Sequence, residues 1–412
     1  MAPPRPVPPR DPLALPIAEA AAFPVVVQRG TATIVAAGPS EVVVADGEAA
    51  FDALEHLTPG WWAGYLSYDL GRAVESIRSI LDPDPALPDL VLARYDARLV
   101  IDGGNARMVG TSGARRALER LLDRAKRPAP VVPLGVPDSS LDRDAFEARV
   151  RAVIRLIEAG DCYQVNLTRR LTWDDAAEAD ALYRALAWGN PAPHAALLVL
   201  PGPAGPIAIV SASPERFLAW DRRECETRPI KGTGIDGELL RASAKDRAEN
   251  VMIVDLARND LGRVCEYGTI RVPELFGLER HPGLVHLVST VQGRCRPEVG
   301  TGALVRATFP PASVTGAPKP RVLQAIEDLE VVRRGVYCGA VGWFDTIAHE
   351  GDLAVGIRTF TVAGGRTSLG VGGGIVADSD PAAEWAETEL KAARLLAAAG
   401  ASPAAAPTRA SA

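Results

Sequence analysis

The chain has 412 residues, of which 47% are hydrophobic and 23% charged, with 45 Lys+Arg against 51 Asp+Glu and a formal net charge of −6. That length accommodates one large or two ordinary domains around a sizeable core. The acidic balance argues against nucleic acid and anionic membrane surfaces as partners, and no apolar run reaches the roughly 18 residues that a spanning helix needs.

In chain order, residues 1–16 are rich in Pro and Arg and residues 400–412 in Ala, Pro and Ser, so both ends read as disordered tails. The first residues lack the apolar segment of a secretory signal. The five cysteines (Cys162, Cys225, Cys265, Cys295 and Cys338) are dispersed and contain no CxxC pair, a pattern that fits reduced thiols in a cytoplasm. Gly60–Asp69 and Leu90–Ile101 are aromatic or aliphatic, bounded by turn residues, and predict strands. Ala114–Arg124 predicts a helix, and proline-rich Lys126–Asp138 predicts a linker. The chain therefore divides into an amino-terminal region, 17–133, and a second region, 134–399. In the latter, Phe146, Val150, Val153, Ile154 and Ile157 keep helical spacing and stop at Gly160. Strands are predicted at Ala195–Leu200, Pro206–Ser211, Val336–Phe344, Leu353–Val362 and Thr367–Val376. Helices and strands in mixed order, without regular βαβ alternation, predict an α+β architecture.

Three sets of residues carry chemical potential. In Arg228-Pro229-Ile230-Lys231-Gly232-Thr233, Pro229 and Gly232 predict a rigid turn that displays Lys231; its amine is nucleophilic only if neighbours or burial lower its pKa. The second set is carboxylates. A helix over Ala382–Ala399, capped by Asp380 with Pro381 near its start, places Glu384, Glu387 and Lys391 on one face. A helix near Lys245–Asn259 carries Asp246 and Glu249 ahead of the largely apolar run Val251–Leu256, which predicts burial on all sides. If the two faces meet, their hard oxygens suit Mg²⁺; otherwise they are caps and a solvated charge face. Zn²⁺ is disfavoured, because His and Cys do not cluster near these carboxylates. The third set joins glycine-rich backbone to cations: Gly372-Gly373-Gly374 after a strand-like run, Ser313–Lys319 ahead of a helix, and Arg358 within GIRTF. Such backbone binds anions and arginine pairs with carboxylates. With no nucleotide-binding glycine motif present, a small carboxylated ligand fits best.

These residues lie in a series of ordered stretches: SASPERF (211–217), TRPIKGT (227–233), AKDRAENVMIVDLARNDLGRV (244–264), HLVST (286–290), SVTGAPK (313–319), RRGVYCGAVGWF (333–344), IRTF (357–360) and GGGIVADS (372–379). Together they resemble the chorismate-utilising enzymes, the group of anthranilate, aminodeoxychorismate, isochorismate and salicylate synthases, from about Asp142 to Leu396. The amino-terminal region resembles it more weakly, through GWWAGYLSY (60–68). The resemblance implies a sandwich of two β-sheets flanked by helices with the active site between them. It also implies Mg²⁺ held chiefly by Glu249 and Glu387, with Asp246 and Glu384 beside them. Chorismate's ring carboxylate would meet the metal, Gly372–Gly374 and Lys391. Tyr337 and Arg358 would hold the enolpyruvyl carboxylate, Glu215 would protonate the departing C4 hydroxyl, and His286 and Ser313 would line the ring pocket.

Two positions separate the branches of this group. Water-adding members resemble one another in a lysine on the strand that aligns with Tyr163–Arg169; here Gln164 stands there, and an amide is too weak a base to activate water. The lysine in PIKGT is similar to aminodeoxychorismate synthases, whereas anthranilate synthases carry PIAGT. That resemblance implies attack by Lys231 on C2 of chorismate, with ammonia then entering at C4. No G-x-C-x-G nucleophile turn surrounds any cysteine, so ammonia is expected from a separate glutamine amidotransferase subunit in a heterodimer. The tryptophan-binding element of feedback-regulated anthranilate synthases is missing, the corresponding stretch being RGTATIVAAGP (29–39). Anthranilate synthase, which aminates C2 and expels pyruvate, is the rival expectation.

Overall fold

The computed structural model describes residues 23–75, 77–123, 133–281 and 284–401. The tails expected at 1–16 and beyond 401, and residues 126–132 of the expected linker, lie outside them. Two antiparallel sheets form the described structure, with helices against their outer faces. In the first, the strand order across the sheet begins Gly316–Ala317, Gln164–Trp173, Arg366–Ile375, Thr359–Ala363 and Gly205–Ser213, and continues through His194–Gly202 to Val25–Arg29, Ala32–Ala36, Ala97–Asp102 and Asn105–Gly110. In the second, Ile230–Gly234, Leu284–Arg294, Glu224–Arg228 and Arg216–Asp221 lead to Glu350–Val355, Ala340–Asp345, Trp61–Leu66, Leu90–Tyr95 and Glu41–Ala45. Strands from either side of residue 133 thus share both sheets.

Strand periodicity explains how both faces are filled. Along Trp61–Leu66, Trp61, Ala63 and Tyr65 enter the layer between the sheets, while Trp62 and Leu66 point to the helix-covered side. Alternate side chains point to opposite faces, and because both faces are buried, every residue of this strand is buried. Trp61 and Trp343 stack between the sheets with ring centroids 6.1 Å apart, opposite Val25, Leu198 and Ile209 of the first sheet. Arg98 lies over Trp61 and donates to Asp345 at 2.8 Å, so the charge that caps this layer is paired.

Several expected boundaries change for one reason. Leu90–Ile101 is two strands, Leu90–Tyr95 in the second sheet and Ala97–Asp102 in the first, broken at Asp96. Leu353–Val362 is likewise divided between Glu350–Val355 and Thr359–Ala363, which lie in different sheets. Hydrophobic periodicity shows that residues are buried and does not show which sheet they join. Val336–Gly339 precedes the strand Ala340–Asp345 instead of belonging to it. The helix Ala244–Gly262 is not buried all round: Ile253 and Val254 face the core, whereas Val251 is exposed. Helix Pro381–Ala398 begins where its cap predicts, with Asp380 accepting from Ala383 N–H, and in helix Arg143–Glu158 the structure shows Asp142 accepting from Ala145 N–H. Among the described residues no helix is long and apolar enough to cross a membrane.

Candidate active site

Lys231 lies on a strand, Ile230–Gly234, where the sequence predicts a turn. Its pairing with Leu284–Arg294 slips: Ile230 faces Val288 and Thr233 faces His286, so Lys231 and Gly232 together oppose a single residue. This is a bulge, which re-aims a side chain. Gly232 supplies the required φ of 91°, and a Cβ there would come within 3.0 Å of Asp246 Oδ1. The bulge thus brings Lys231 beside the helix Ala244–Gly262 that carries Asp246 and Glu249. Desolvation pulls the Lys231 ammonium below its ordinary value, opposed by the charges of Glu249 and then Glu215.

Glu215 follows the strand Gly205–Ser213 and is 4% exposed. Its carbonyl accepts from Val355 N–H at 3.0 Å, and its Oε1 accepts from Ile230 N–H at 3.4 Å, next to Lys231. Burial raises its carboxyl from 4.5 to about 7, against a hydrogen bond from Ser313 and the charge of Lys231. Ser313 is buried beside it. The acid and the amine are therefore neighbours, and each environment moves its pKa toward neutrality.

Across from them runs Arg366–Ile375. Gly372, Gly373 and Gly374 lie inside this strand, within the strand expected over Thr367–Val376, and pair with Thr168, Leu167 and Asn166. Their role is close approach. A Cβ on Gly374 would sit 2.4 Å from Gln164 Nε2 and 3.4 Å from Lys231 Nζ; one on Gly373 would sit 3.1 Å from Glu384 Oε2 and 3.7 Å from Glu387 Oε1. Absence of side chains here leaves a floor over which Lys231, Gln164 and the carboxylates of the final helix converge. Gln164 is buried, and neither its amide oxygen nor its nitrogen has a hydrogen-bond partner. A buried amide without partners is costly, and a bound ligand would supply them.

On the final helix, Lys391 Nζ donates to Gly372 O at 2.9 Å and pairs with Glu387 Oε1 at 2.7 Å. Against desolvation, Lys391 holds the Glu387 carboxyl below its ordinary value. Glu384 is buried and accepts from Ser379 Oγ–H at 2.6 Å; desolvation raises it, with Glu387 adding to the shift. Glu249 is raised by desolvation, with Lys231 opposing and Asp246 and Glu387 reinforcing. The four carboxylates thus feel one another, yet among the described residues no three of their oxygens lie within 4.8 Å of one another.

Other expected residues line cavities. His286 is buried, its Nδ1 2.9 Å from Thr233 Oγ1. It lines a cavity of about 340 Å³ with Arg358, Arg394, Pro214 and Leu284. Tyr337 lines another cavity, its ring covering Gly370. Arg358 adopts φ 51° at the passage between sheets, and burial, followed by the charge of Arg394, lowers its pKa. Lys319 of SVTGAPK is not an anion ligand: its ammonium is buried against Asp260 at 2.7 Å and Thr308 O at 3.1 Å. Sequence reasoning missed Arg394 and Lys245, whose charges act on Arg358 and on Glu249, Glu384 and Glu387. Arg394 follows Lys391 by one helical turn, a signal that was legible.

A profile of chorismate binding enzymes matches residues 22–397. The chain belongs to that family. Aminodeoxychorismate synthase component 1 of Klebsiella aerogenes is 39% identical over 347 residues, covering 81% of this chain and 76% of the relative. Anthranilate synthase component 1 1 of Haloarcula marismortui is 36% identical over 361 residues, covering 79% and 73%. Among solved structures, anthranilate synthase component I from Streptococcus pneumoniae superposes with a TM-score of 0.77 at 26% identity, covering 89% of this chain and 92% of that one. The two-sheet architecture expected from the sequence is that of this family, and the expected enzyme class, aminodeoxychorismate synthase, agrees with the Klebsiella relative.

Proposed function

We propose that this chain converts chorismate and ammonia to 4-amino-4-deoxychorismate, with Lys231 as the covalent nucleophile. The observation that carries the reading is the pairing of a desolvated lysine with a buried, neutral-leaning Glu215 across a side-chain-free glycine floor. Neutral Lys231 attacks C2 of the ring. The conjugated diene passes the electron pair toward C4, the C4–O bond breaks, and protonated Glu215 gives its proton to the hydroxyl, which leaves as water. Ammonia then forms a bond to C4, the diene shifts back, and the C2–N bond to Lys231 breaks. Gln164, at the position of the base in water-adding relatives, cannot take a proton from water, so ammonia meets no competing nucleophile activated there.

Arg358 and Arg394, around the cavity that His286 also lines, fit one carboxylate of the substrate. Glu249 and Glu387, with Asp246 and Glu384, fit Mg²⁺: they are hard oxygen donors whose mutual repulsion a divalent cation would relieve. Bound Mg²⁺ would supply positive charge for the ring carboxylate. The "component 1" in the relatives' names supports a second component, here a glutamine amidotransferase delivering ammonia, and the product would serve para-aminobenzoate synthesis.

The test is mass analysis of products from chorismate, Mg²⁺ and ammonium, with and without an aminodeoxychorismate lyase. Expected is 4-amino-4-deoxychorismate, converted to para-aminobenzoate only when the lyase is present. Anthranilate formed without lyase would overturn the reading in favour of the sibling branch, and isochorismate as main product would overturn the role given to Gln164.

A further inference from the structure

Cys225, Cys265 and Cys295 are far apart in sequence, and the fold brings all three sulfurs within 4.8 Å of one another in a buried cluster. Cys225 lies near the start of the strand Glu224–Arg228 that leads through Pro229 to Lys231; Cys265 follows the helix that carries Asp246 and Glu249; Cys295 follows the strand that carries His286. Cys225 Sγ lies 3.5 Å from Cys265 Sγ and 3.3 Å from Gly293 O. Gly293 makes room for the cluster, because a Cβ there would sit 2.6 Å from Cys265 Sγ.

We infer that these three thiols form a site for one soft, thiophilic d¹⁰ cation of the Zn²⁺ class, separate from the carboxylates of the active site. Zn–S bonds of about 2.3 Å in tetrahedral geometry place two sulfurs about 3.8 Å apart, close to the observed 3.5 Å and inside the 4.8 Å limit of the set. Ligation of a divalent ion by three thiols releases three protons and leaves a complex of net charge −1. Two arginines border the cluster, each also paired with a carboxylate: Arg223 Nε donates to Cys295 O at 2.9 Å and its guanidinium pairs with Glu266, and Arg296 donates to Cys265 O at 3.3 Å and Arg263 O at 2.9 Å and pairs with Glu298 at 2.9 Å. Carboxylates and imidazoles are absent from the set among the described residues, which selects a soft ion over Mg²⁺. The site would staple together the distal ends of the three elements that present Lys231, Glu249 and His286.

The experiment uses the full chain, reduced, stripped of metal with chelator and desalted. Cd²⁺ titration should produce a sulfur-to-metal charge-transfer band that saturates at one equivalent. Zn²⁺ should erase the band and excess Mg²⁺ should not. Cys225→Ser should weaken binding at least 10-fold, while Cys162→Ser leaves it unchanged. Should the serine variant fail to fold, wild-type protein in mild denaturant is alkylated with iodoacetamide and mapped by mass: Zn²⁺ should shield the three cysteines and leave Cys162 and Cys338 reactive. No band at one equivalent of Cd²⁺, or equal alkylation with and without Zn²⁺, would overturn the inference. So would a reduced protein that takes up no metal but on mild oxidation loses two hydrogens to join Cys265 and Cys295, which face each other as an antiparallel pair.

Discussion

Replacing Glu215 with glutamine separates burial from proton donation at one position. The side chain is 4% exposed, and its carboxyl is raised from 4.5 to about 7, chiefly by desolvation. A carboxyl that binds its proton more tightly when folded stabilises the fold fully below about pH 4.5, and this contribution is lost as pH rises through about 7. The raised value corresponds to about 3 kcal/mol lost across that window. Glutamine keeps the shape, and its oxygen still accepts from Ile230 N–H, but it has no charge to desolvate. The variant should match wild type near pH 4.5 and exceed it by up to about 3 kcal/mol above about pH 8. Its turnover should fall by a factor of about 10²–10⁴, the usual contribution of a positioned acid. Denaturant unfolding of both proteins at the two pH values, beside product formation measured by mass, checks both expectations. A stability difference that does not change with pH would refute the buried neutral carboxyl, and near-wild-type turnover would refute the proton donor.

Lys231→Ala should abolish 4-amination while leaving the fold intact; the check is loss of product together with loss of any chorismate-derived mass adduct on Lys231 found in the wild type. Excess chelator should silence the enzyme, and Glu387→Gln should lose most turnover and shift Mg²⁺ activation to higher concentration, since one charged ligand is gone; full activity in chelator would remove the metal from the mechanism. Gly374→Ala should cost on the order of 1–3 kcal/mol of stability through overpacking and most of the activity, because its Cβ would meet Gln164 Nε2 at 2.4 Å. The double variant with Gln164→Ala should regain stability, and unchanged unfolding midpoints in both would show that the contact is relaxed without cost.

By itself the sequence determined the local elements and the chemical inventory. The capping residue Asp380 marks a helix start because a side-chain oxygen at that position satisfies backbone N–H groups irrespective of tertiary context. The ordered motifs likewise identified Glu215, Lys231, Glu249 and Glu387, since their types and spacing are readable without coordinates. Tertiary structure decided what depends on pairing. The exchange of sheets at Asp96 and around Arg358 leaves no mark in hydrophobicity, because both destinations are buried. The bulge at Lys231 exists only through its register with the Leu284–Arg294 strand. The burial of Lys319 against Asp260 follows from packing between distant segments. The meeting of Cys225, Cys265 and Cys295 does too: dispersed in the chain they resemble ordinary core thiols, and only the closure of one helix and two strands sets their sulfurs side by side.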